Sequence, residues 1–305
     1  MKKYNAFLMV FILFILLNMI LSPAKYVSAT FDGISAWALN VLPSVLPFMF
    51  FTKILSSFGN TDTLSAPFCK PCRFLFNTSP QSVYAFLMAI ISGYPVGAKI
   101  TSDFYMQGEI SKEDAYKMTS FCSTSGPMFI VGAVGTMMLK STTAGYIILL
   151  SHILGAILNG ILYRKIKVKD DGQASSNVTP QKSDLSSIVV DSALSILSVG
   201  VIIAIFFVVI TALSPLFSIL PSPFSQVFSG LIEITRGCID ASKLANLKLA
   251  TAICSFVIGF GGFSTILQSM TFLGKIKMPT GLFILQKFTH GIFSLLITLP
   301  LLFLL

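Results

Sequence analysis

The sequence predicts an all-α fold: a polytopic membrane helix bundle with two weakly repeated halves and broken or re-entrant helices. The chain has 305 residues, of which 54% are hydrophobic and 11% charged, and its mean hydropathy is +0.84. A soluble domain carries roughly 25% charged residues. The apolar residues also form long blocks, which indicates that the bilayer surrounds most of the chain.

The composition argues against a soluble enzyme, a disordered hub and a nucleic-acid binder. The net charge of +9 comes from Lys and Arg in short clusters between apolar blocks. Basic residues flank membrane spans in this way and meet anionic headgroups, so the predicted partner is the lipid bilayer. The sequence has no phosphate-binding G-x-x-x-x-G-K-[ST] motif and no metal-ligand cluster. We therefore expect neither an enzyme nor a cofactor or metal.

The first apolar block, residues 6–22, predicts a membrane helix preceded by Lys2 and Lys3. A signal peptide is the alternative, because small residues at 27–29 fit a cleavage site. The apolar run has 17 residues. Signal peptides usually have about 7–15, and this favours a retained helix.

The remainder of the first half alternates apolar and polar segments. Residues 31–58 contain Pro43 and Pro47, which remove backbone donors, so we expect this segment to face the protein interior. Residues 59–82 predict a loop, and residues 99–117, with seven charges, predict a segment in water or at the interface. The other apolar segments of this half are residues 83–98, 118–139 and 143–163.

The domain division is predicted at a polar cytoplasmic linker, residues 170–187, between a first membrane half (1–169) and a second (188–305). Four cations follow the span that ends near residue 163, which places that end in the cytoplasm, as for the basic N-terminus. An even number of crossings is then required, so 83–98 or 118–139 is expected to be re-entrant.

The second half predicts a long span at 188–213 and a piece at 215–235 interrupted by prolines. A basic loop at 236–248 follows, then an apolar segment at 249–273 broken by glycines and a last span at 281–305.

The two halves show weak internal similarity. Leu42-Pro43-Ser44 recurs as Leu220-Pro221-Ser222, and the break at Gly93-Tyr94-Pro95 corresponds to Gly262-Phe263-Ser264. Each half thus holds an apolar segment interrupted near its middle. Paired interrupted helices in two halves are the best sequence indication of a midplane binding site.

Several strings in these segments resemble the YlbJ-type sporulation integral membrane proteins, within the nucleoside-recognition or Gate domain superfamily. They are LPSVLPFMFF (42–51), SGYPVGAKITSDFY (92–105), FCSTSGPMFIVGAVG (121–135), GLIEITRGC (230–238) and GFGGFSTILQ (259–268). The resemblance implies a multi-pass protein of the cell membrane, or of the forespore membrane, in an endospore former. It also implies movement of a small organic anion during sporulation, with dipicolinate as the family-level candidate.

The first candidate substrate-binding group surrounds the break in the first half. A helix broken at membrane depth bares backbone N–H groups at the start of the next helix, and these attract anions. The predicted residues are Ser92, Gly93, Tyr94, Pro95, Gly97 and Lys99. A structural kink, with Lys99 reaching the headgroups, is the alternative.

Two further groups complete the predicted site. Ser123, Ser125 and Gly126 precede Pro127, which is also an ordinary arrangement at a helix start. The counterparts in the second half are Gly261, Gly262, Ser264, Thr265 and Gln268, for which hydrogen bonding between helices is the alternative.

Isolated polar residues carry less specific predictions. Glu233 is a candidate for proton or Na⁺ coupling, but an interfacial salt bridge to Arg236 is the favoured interpretation. For His152 and His290, hydrogen bonding between helices is favoured over a proton relay.

The sequence leaves three functional hypotheses. The first is a transporter with its site between the broken segments, and the second is a non-transporting scaffold for spore envelope assembly. The third, a thiol oxidoreductase, rests on Cys69 and Cys72 alone, and an incidental or minor structural role is favoured for this pair. The sequence is compatible with an oligomer but does not specify one.

Overall fold

The computed structural model describes residues 2–57, 66–168, 184–217 and 219–305, and these residues form helices without any strand. The α-helices are α1 (Lys2–Leu21), α2 (Pro23–Ala36), α3 (Leu42–Ser57), α4 (Cys69–Phe76), α5 (Gln81–Ser92), α6 (Val96–Met106), α7 (Lys112–Met118), α8 (Thr142–Tyr163), α9 (Leu185–Phe217), α10 (Phe224–Ile232), α11 (Ile234–Ser242), α12 (Leu247–Phe260), α13 (Gly262–Leu273) and α14 (Thr280–Leu301). Trp37–Val41 and Met128–Met138 are π-helical, and Ala66–Phe68, Gly274–Ile276 and Leu302–Leu304 form 3-10 turns.

Among the described residues, five helical segments are long and apolar enough to cross a bilayer. They are Pro23–Phe51, Thr142–Tyr163, Leu185–Phe217, Leu247–Ile276 and Thr280–Leu304. A sixth is possible if α4 and α5, which meet at a 98° bend, act as one broken span. The prediction of a polytopic helical membrane protein is therefore confirmed.

The outer surface of α9 shows why this bundle belongs in lipid. Leu194, Leu197, Val201 and Ile205 recur every three or four residues along the helix and are all exposed. Such a stripe would be costly in water and is favourable against acyl chains. The opposite face of α9 packs on α2, while α14 packs on α8 and α12.

The proline-rich segment is a continuous helix with one buried face. The hydroxyl of Ser44 donates to the carbonyl of Asn40 at 2.7 Å. This bond satisfies a carbonyl close to the point where Pro43 interrupts the backbone ladder. Because Pro43 and Pro47 are exposed, the expectation that the segment faces the protein interior is wrong for most of its surface.

Two segments that were predicted as loops contain helices, and the charged segment 99–117, which was expected in water or at the interface, is partly buried. The presumed loop 59–82 contains α4, and α6 extends into 99–117 with buried Thr101 and Ser102. The presumed loop 236–248 begins with α11. Local interactions explain these helices: for example, the Arg236 and Asp240 side chains of α11 pair at 2.9 Å across one turn.

The other predictions have mixed outcomes. Helix α1 covers the first predicted block, and its retention, favoured over cleavage after residue 29, remains a prediction. The linker prediction falls mainly on residues 169–183, which lie outside the described residues, so the two-half division also remains a prediction. The segment 118–139 contains only an 11-residue π-helix, too short to cross a bilayer.

Helices α10 and α11 approach each other so closely that only glycine fits at the contact. A Cβ atom added to Gly237 would lie 2.1 Å from the Cα atom of Gly230. We expect Gly237→Ala to cost about 1–3 kcal/mol of stability through overpacking.

Thermal unfolding in detergent measures this cost, with Gly281→Ala as the matched control. A Cβ atom at Gly281 meets no heavy atom within 4 Å. The control should melt like the unsubstituted protein, and equal melting of both variants would contradict the described packing.

Candidate functional site

Among the described residues, four interruptions of helical structure meet at one place in the bundle. They are Gly93–Pro95 between α5 and α6, residues 119–127 before the second π-helix, Glu233 between α10 and α11, and Gly261 between α12 and α13. Three of the four are segments that the sequence analysis singled out for substrate binding.

The backbones at these interruptions approach closely because their glycines lack side chains. A Cβ atom added to Gly93 would lie 2.5 Å from the backbone nitrogen of Gly126. A Cβ atom at Gly261 would lie 3.0 Å from the Tyr94 hydroxyl, and one at Gly262 would lie 3.0 Å from the nitrogen of Ile234. These contacts link the interruptions of the two halves into one structure.

Each interruption is followed by the start of a helix. Helices α6, α11 and α13 and the second π-helix begin there, at Val96, Ile234, Gly262 and Met128. The first turn of a helix has N–H groups without partners in that helix and carries the positive end of its dipole. Helices α5, α10 and α12 end at the same interruptions, so the junction offers backbone N–H donors close to carbonyl acceptors.

A cavity of about 60 Å³ lies at this junction and is open on one side. The predicted site residues that line it are Ser92, Gly93, Tyr94, Ser125, Gly126, Thr265 and Gln268, and Glu233 lines it as well. Thr235 adds a further hydroxyl, and Val41, Val45, Phe129, Val199, Ile203 and Ile234 form an apolar wall. The apolar wall was not predicted as part of the site.

The other predicted residues lie near the cavity or outside it. Pro95, Gly97, Ser123, Gly261, Gly262 and Ser264 belong to the interrupted segments but do not line the cavity. Gly97 packs against the backbone, since a Cβ atom there would lie 1.7 Å from the Cys122 carbonyl oxygen. Lys99 is exposed and does not supply charge to the cavity wall.

Glu233 is completely buried and caps α11. Its Oε2 atom accepts a hydrogen bond from the Arg236 backbone N–H at 2.6 Å. Its Oε1 atom makes no hydrogen bond with any residue that the structure describes. The favoured salt bridge to Arg236 is not formed, because that guanidinium extends along the helix to Asp240, at 2.9 Å.

The protonation of Glu233 is set chiefly by burial. Helices α10 and α11 have nine residues each, too few to cross a bilayer, and Glu233 lies between them. Burial raises the pKa of Glu233 to about 7, and the hydrogen bond from the Arg236 backbone N–H opposes this rise only in part. The carboxyl group can therefore exchange a proton near neutral pH.

The non-helical segment 119–127 and the residues just before it depend on side chains from α8 and α14. The Asn159 amide of α8 donates to the Ser120 carbonyl at 2.7 Å. The Gln286 amide of α14 donates to the Tyr116 carbonyl at 3.0 Å. Backbone groups outside a regular helix must find such partners at membrane depth.

Lys287 of α14 is a buried cation that the sequence analysis missed. Its ammonium group donates to the Tyr94 hydroxyl and to the Ser123 carbonyl, the latter at 2.7 Å. Its third contact, at 3.3 Å, is with His290 Nδ1. An ionisable residue inside an apolar span was the available signal, because such residues are costly in lipid.

His152 and His290 form hydrogen bonds between elements, as the favoured interpretation predicts. His290 Nε2 lies 3.0 Å from the His152 carbonyl, which can only accept, so Nε2 carries a proton. The Ser125 backbone N–H donates to His152 Nε2 at 2.8 Å. This last bond anchors the cavity residue Ser125 to α8.

Comparison with known proteins gives one informative similarity. No protein-family model and no solved structure matches the chain. The sporulation integral membrane protein YlbJ of Bacillus subtilis (strain 168) is 25% identical over an alignment of 337 positions, which covers 96% of this chain and 82% of the relative. The chain is therefore similar to a sporulation integral membrane protein over almost its whole length.

The alignment runs through almost the whole of this chain, so both broken regions lie within the similarity. The similarity and the five apolar spans found among the described residues agree on a multi-pass membrane protein.

The cysteine pair lies away from the cavity. Cys69 and Cys72 both lie in α4, and Cys72 contacts the Ser82 hydroxyl at 3.4 Å. No group of three or more metal-ligating side chains occurs within the described ranges. The pair lines no wall of the cavity, which leaves the thiol oxidoreductase hypothesis without support from the site.

Lys287 should be important for stability. Replacing it by Met leaves the Ser123 carbonyl and the Tyr94 hydroxyl without this donor. An unsatisfied buried polar group costs about 1–3 kcal/mol, so we expect Lys287→Met to unfold at a clearly lower temperature.

Fluorescence-detected thermal unfolding in detergent tests this effect against Lys165→Met. Lys165 is exposed and follows α8. If both variants unfold at the same temperature, the ammonium group does not hold the interrupted segment in place.

Proposed function

We propose that this protein is a secondary transporter or facilitator that moves a small organic anion across a membrane during sporulation. The cavity at the four interruptions would be its substrate site. The observation that carries the proposal is the start of several helices around one polar cavity inside a multi-pass bundle. Interrupted helices in the two halves of a membrane protein are typical of transporter binding sites.

Helix starts favour an anion in this cavity. They offer backbone N–H donors and positive dipole ends, which bind carboxylates and phosphates. The buried hydroxyls of Ser92 and Thr235 line the cavity and have no hydrogen-bond partner among the described residues. Such groups are costly unless a solute or water pairs with them.

The apolar wall favours an organic substrate over an inorganic ion. Phe129, Val199 and Ile203 face the same space as the polar groups. Binding sites for small molecules combine apolar walls with a few well-placed polar groups. An aromatic carboxylate such as dipicolinate, the candidate that the family resemblance implies, has this combination of properties.

The Gate-superfamily relationship and the forespore membrane location belong to this proposal. The similarity to YlbJ supports a role in sporulation, because that relative is named for it. A non-transporting scaffold is the alternative hypothesis. A scaffold does not need a polar cavity lined by hydroxyls without hydrogen-bond partners. The presence of such a cavity therefore favours transport.

Gln268 provides a direct test of the cavity. Its side chain lines the cavity, whereas the neighbouring Leu267 is exposed on the outer side of α13. We expect Gln268→Leu to reduce anion flux at least about tenfold, because it removes a polar group worth roughly 1.4 kcal/mol or more in binding.

The measurement uses purified protein in liposomes and radiolabelled pyridine-2,6-dicarboxylate, benzoate, succinate and uridine. Leu267→Ala is the matched control and should retain the flux of the unsubstituted protein. Absence of flux for every probe in the unsubstituted protein would favour the scaffold. Equal flux in Gln268→Leu and Leu267→Ala would remove the cavity from the transport path.

A further inference from the structure

We propose that Glu233 carries a proton with the transported anion, so that the cavity accepts a carboxylate only when Glu233 is protonated. This inference rests on the proposed function and specifies how transport is driven. It makes the protein a proton–anion symporter.

The two carboxylate oxygens of Glu233 differ in their hydrogen bonding. Oε2 caps α11 through the Arg236 backbone N–H, at 2.6 Å. Oε1 has no hydrogen-bond partner within the described part of the chain, and the residue lines the cavity. One oxygen is thus structural, and the other is available to a proton that faces the substrate.

A carboxylate substrate and an ionised Glu233 would place two negative charges in one buried cavity. Like charges in such a site disfavour simultaneous ionisation, so one of the two groups takes up a proton. The substrate carboxylate is better placed to stay ionised, because the start of α11 lines the cavity and the N–H groups of a helix start favour an anion. Glu233 is therefore the group that takes up the proton.

The groups around Glu233 do not replace the proton as a counter-charge. On α11, the guanidinium of Arg236 is paired with Asp240 at 2.9 Å, and Cys238 is a buried thiol. Cys254 faces Cys238 from α12. A thiol carries no positive charge in either protonation state.

Among the described residues, the remaining elements bring no basic side chain to the cavity wall. The break between α5 and α6 contributes Tyr94 to the cavity wall. The Tyr94 hydroxyl accepts a hydrogen bond from Lys287 of α14. Helix α13 contributes Thr265 and Gln268, and α3, α9 and the two π-helices contribute apolar residues. The bound anion and Glu233 thus face each other across neutral groups.

An alkali cation is a less suitable partner for Glu233 than a proton. The carboxyl group sits at the start of α11, where the N–H groups and the positive dipole end repel a cation. A proton needs only the single free oxygen, Oε1. This argument favours proton coupling over the Na⁺ alternative.

The experiment measures binding and flux of pyridine-2,6-dicarboxylate in proteoliposomes at several pH values. Carboxylate probes stay ionised between about pH 6 and about pH 8, so any pH dependence comes from the protein. If only the protonated form binds, the apparent Kd at about pH 8 should be about tenfold weaker than at about pH 6. A pH-sensitive dye inside the liposomes should report acidification together with anion entry.

The deciding variant is Glu233→Gln, which resembles the protonated side chain. It should bind the probe equally well at both pH values and move it without co-entry of protons. Glu113→Gln is the matched control, since Glu113 is a half-buried glutamate that pairs with Lys117 and does not line the cavity, and it should keep the pH dependence. Glu233→Asp, which keeps a titratable carboxyl, should also retain proton entry.

Each outcome is decisive. Probe flux that is independent of pH in the unsubstituted protein, or proton co-entry that persists in Glu233→Gln, overturns the inference and leaves the transporter proposal intact. If Glu233→Gln does not reach the membrane, the test uses the unsubstituted protein and Glu233→Asp. Proton co-entry in both proteins supports the inference, and its absence from the unsubstituted protein overturns it. Failure of the unsubstituted protein to move any carboxylate overturns the transporter proposal itself.

Discussion

The structure depends on one constraint: backbone groups that leave regular helix inside a membrane bundle need hydrogen-bond partners from the protein. Segment 119–127 and the turn before it meet this constraint through four side chains on two helices. Asn159 and His152 come from α8, and Gln286 and Lys287 come from α14. Without them the chain would have to continue as a helix, and the cavity would close.

This constraint explains why α8 and α14 pack against each other so extensively. Small residues allow the close approach: a Cβ atom added to Gly155 would lie 2.7 Å from the Ser294 hydroxyl. Polar side chains along the contact then reach the interrupted segment. The two helices thus act as a rigid support, and the interruptions that they stabilise carry the polar cavity.

Two ionisable side chains, Lys287 and Glu233, are buried at the junction, and only Glu233 lines the cavity. Lys287 reaches one side of Tyr94 and is fully occupied by three acceptors, while Glu233 leaves one oxygen free. The lysine therefore serves the structure, and the glutamate remains available to a solute or a proton. A buried charge with complete hydrogen bonding is structural, whereas an incomplete one indicates a functional site.

Sequence patterns alone predicted much of this protein. Composition and block length determine the membrane environment, because a bilayer excludes charge whatever the tertiary arrangement. Helix breakers marked 93–95 and 261–262, since glycine and proline interrupt helices locally. The structure brings these two segments together around one cavity, as the paired breaks predicted.

Only the tertiary structure decided which polar groups face the cavity. The sequence analysis assigned the cation to Lys99, but α6 turns that residue outwards, and the buried cation is Lys287, nearly 200 positions along the chain. It also favoured pairing Glu233 with Arg236, which Asp240 prevents. Helical spacing shows which residues share a face, but the packing of distant helices determines what that face meets.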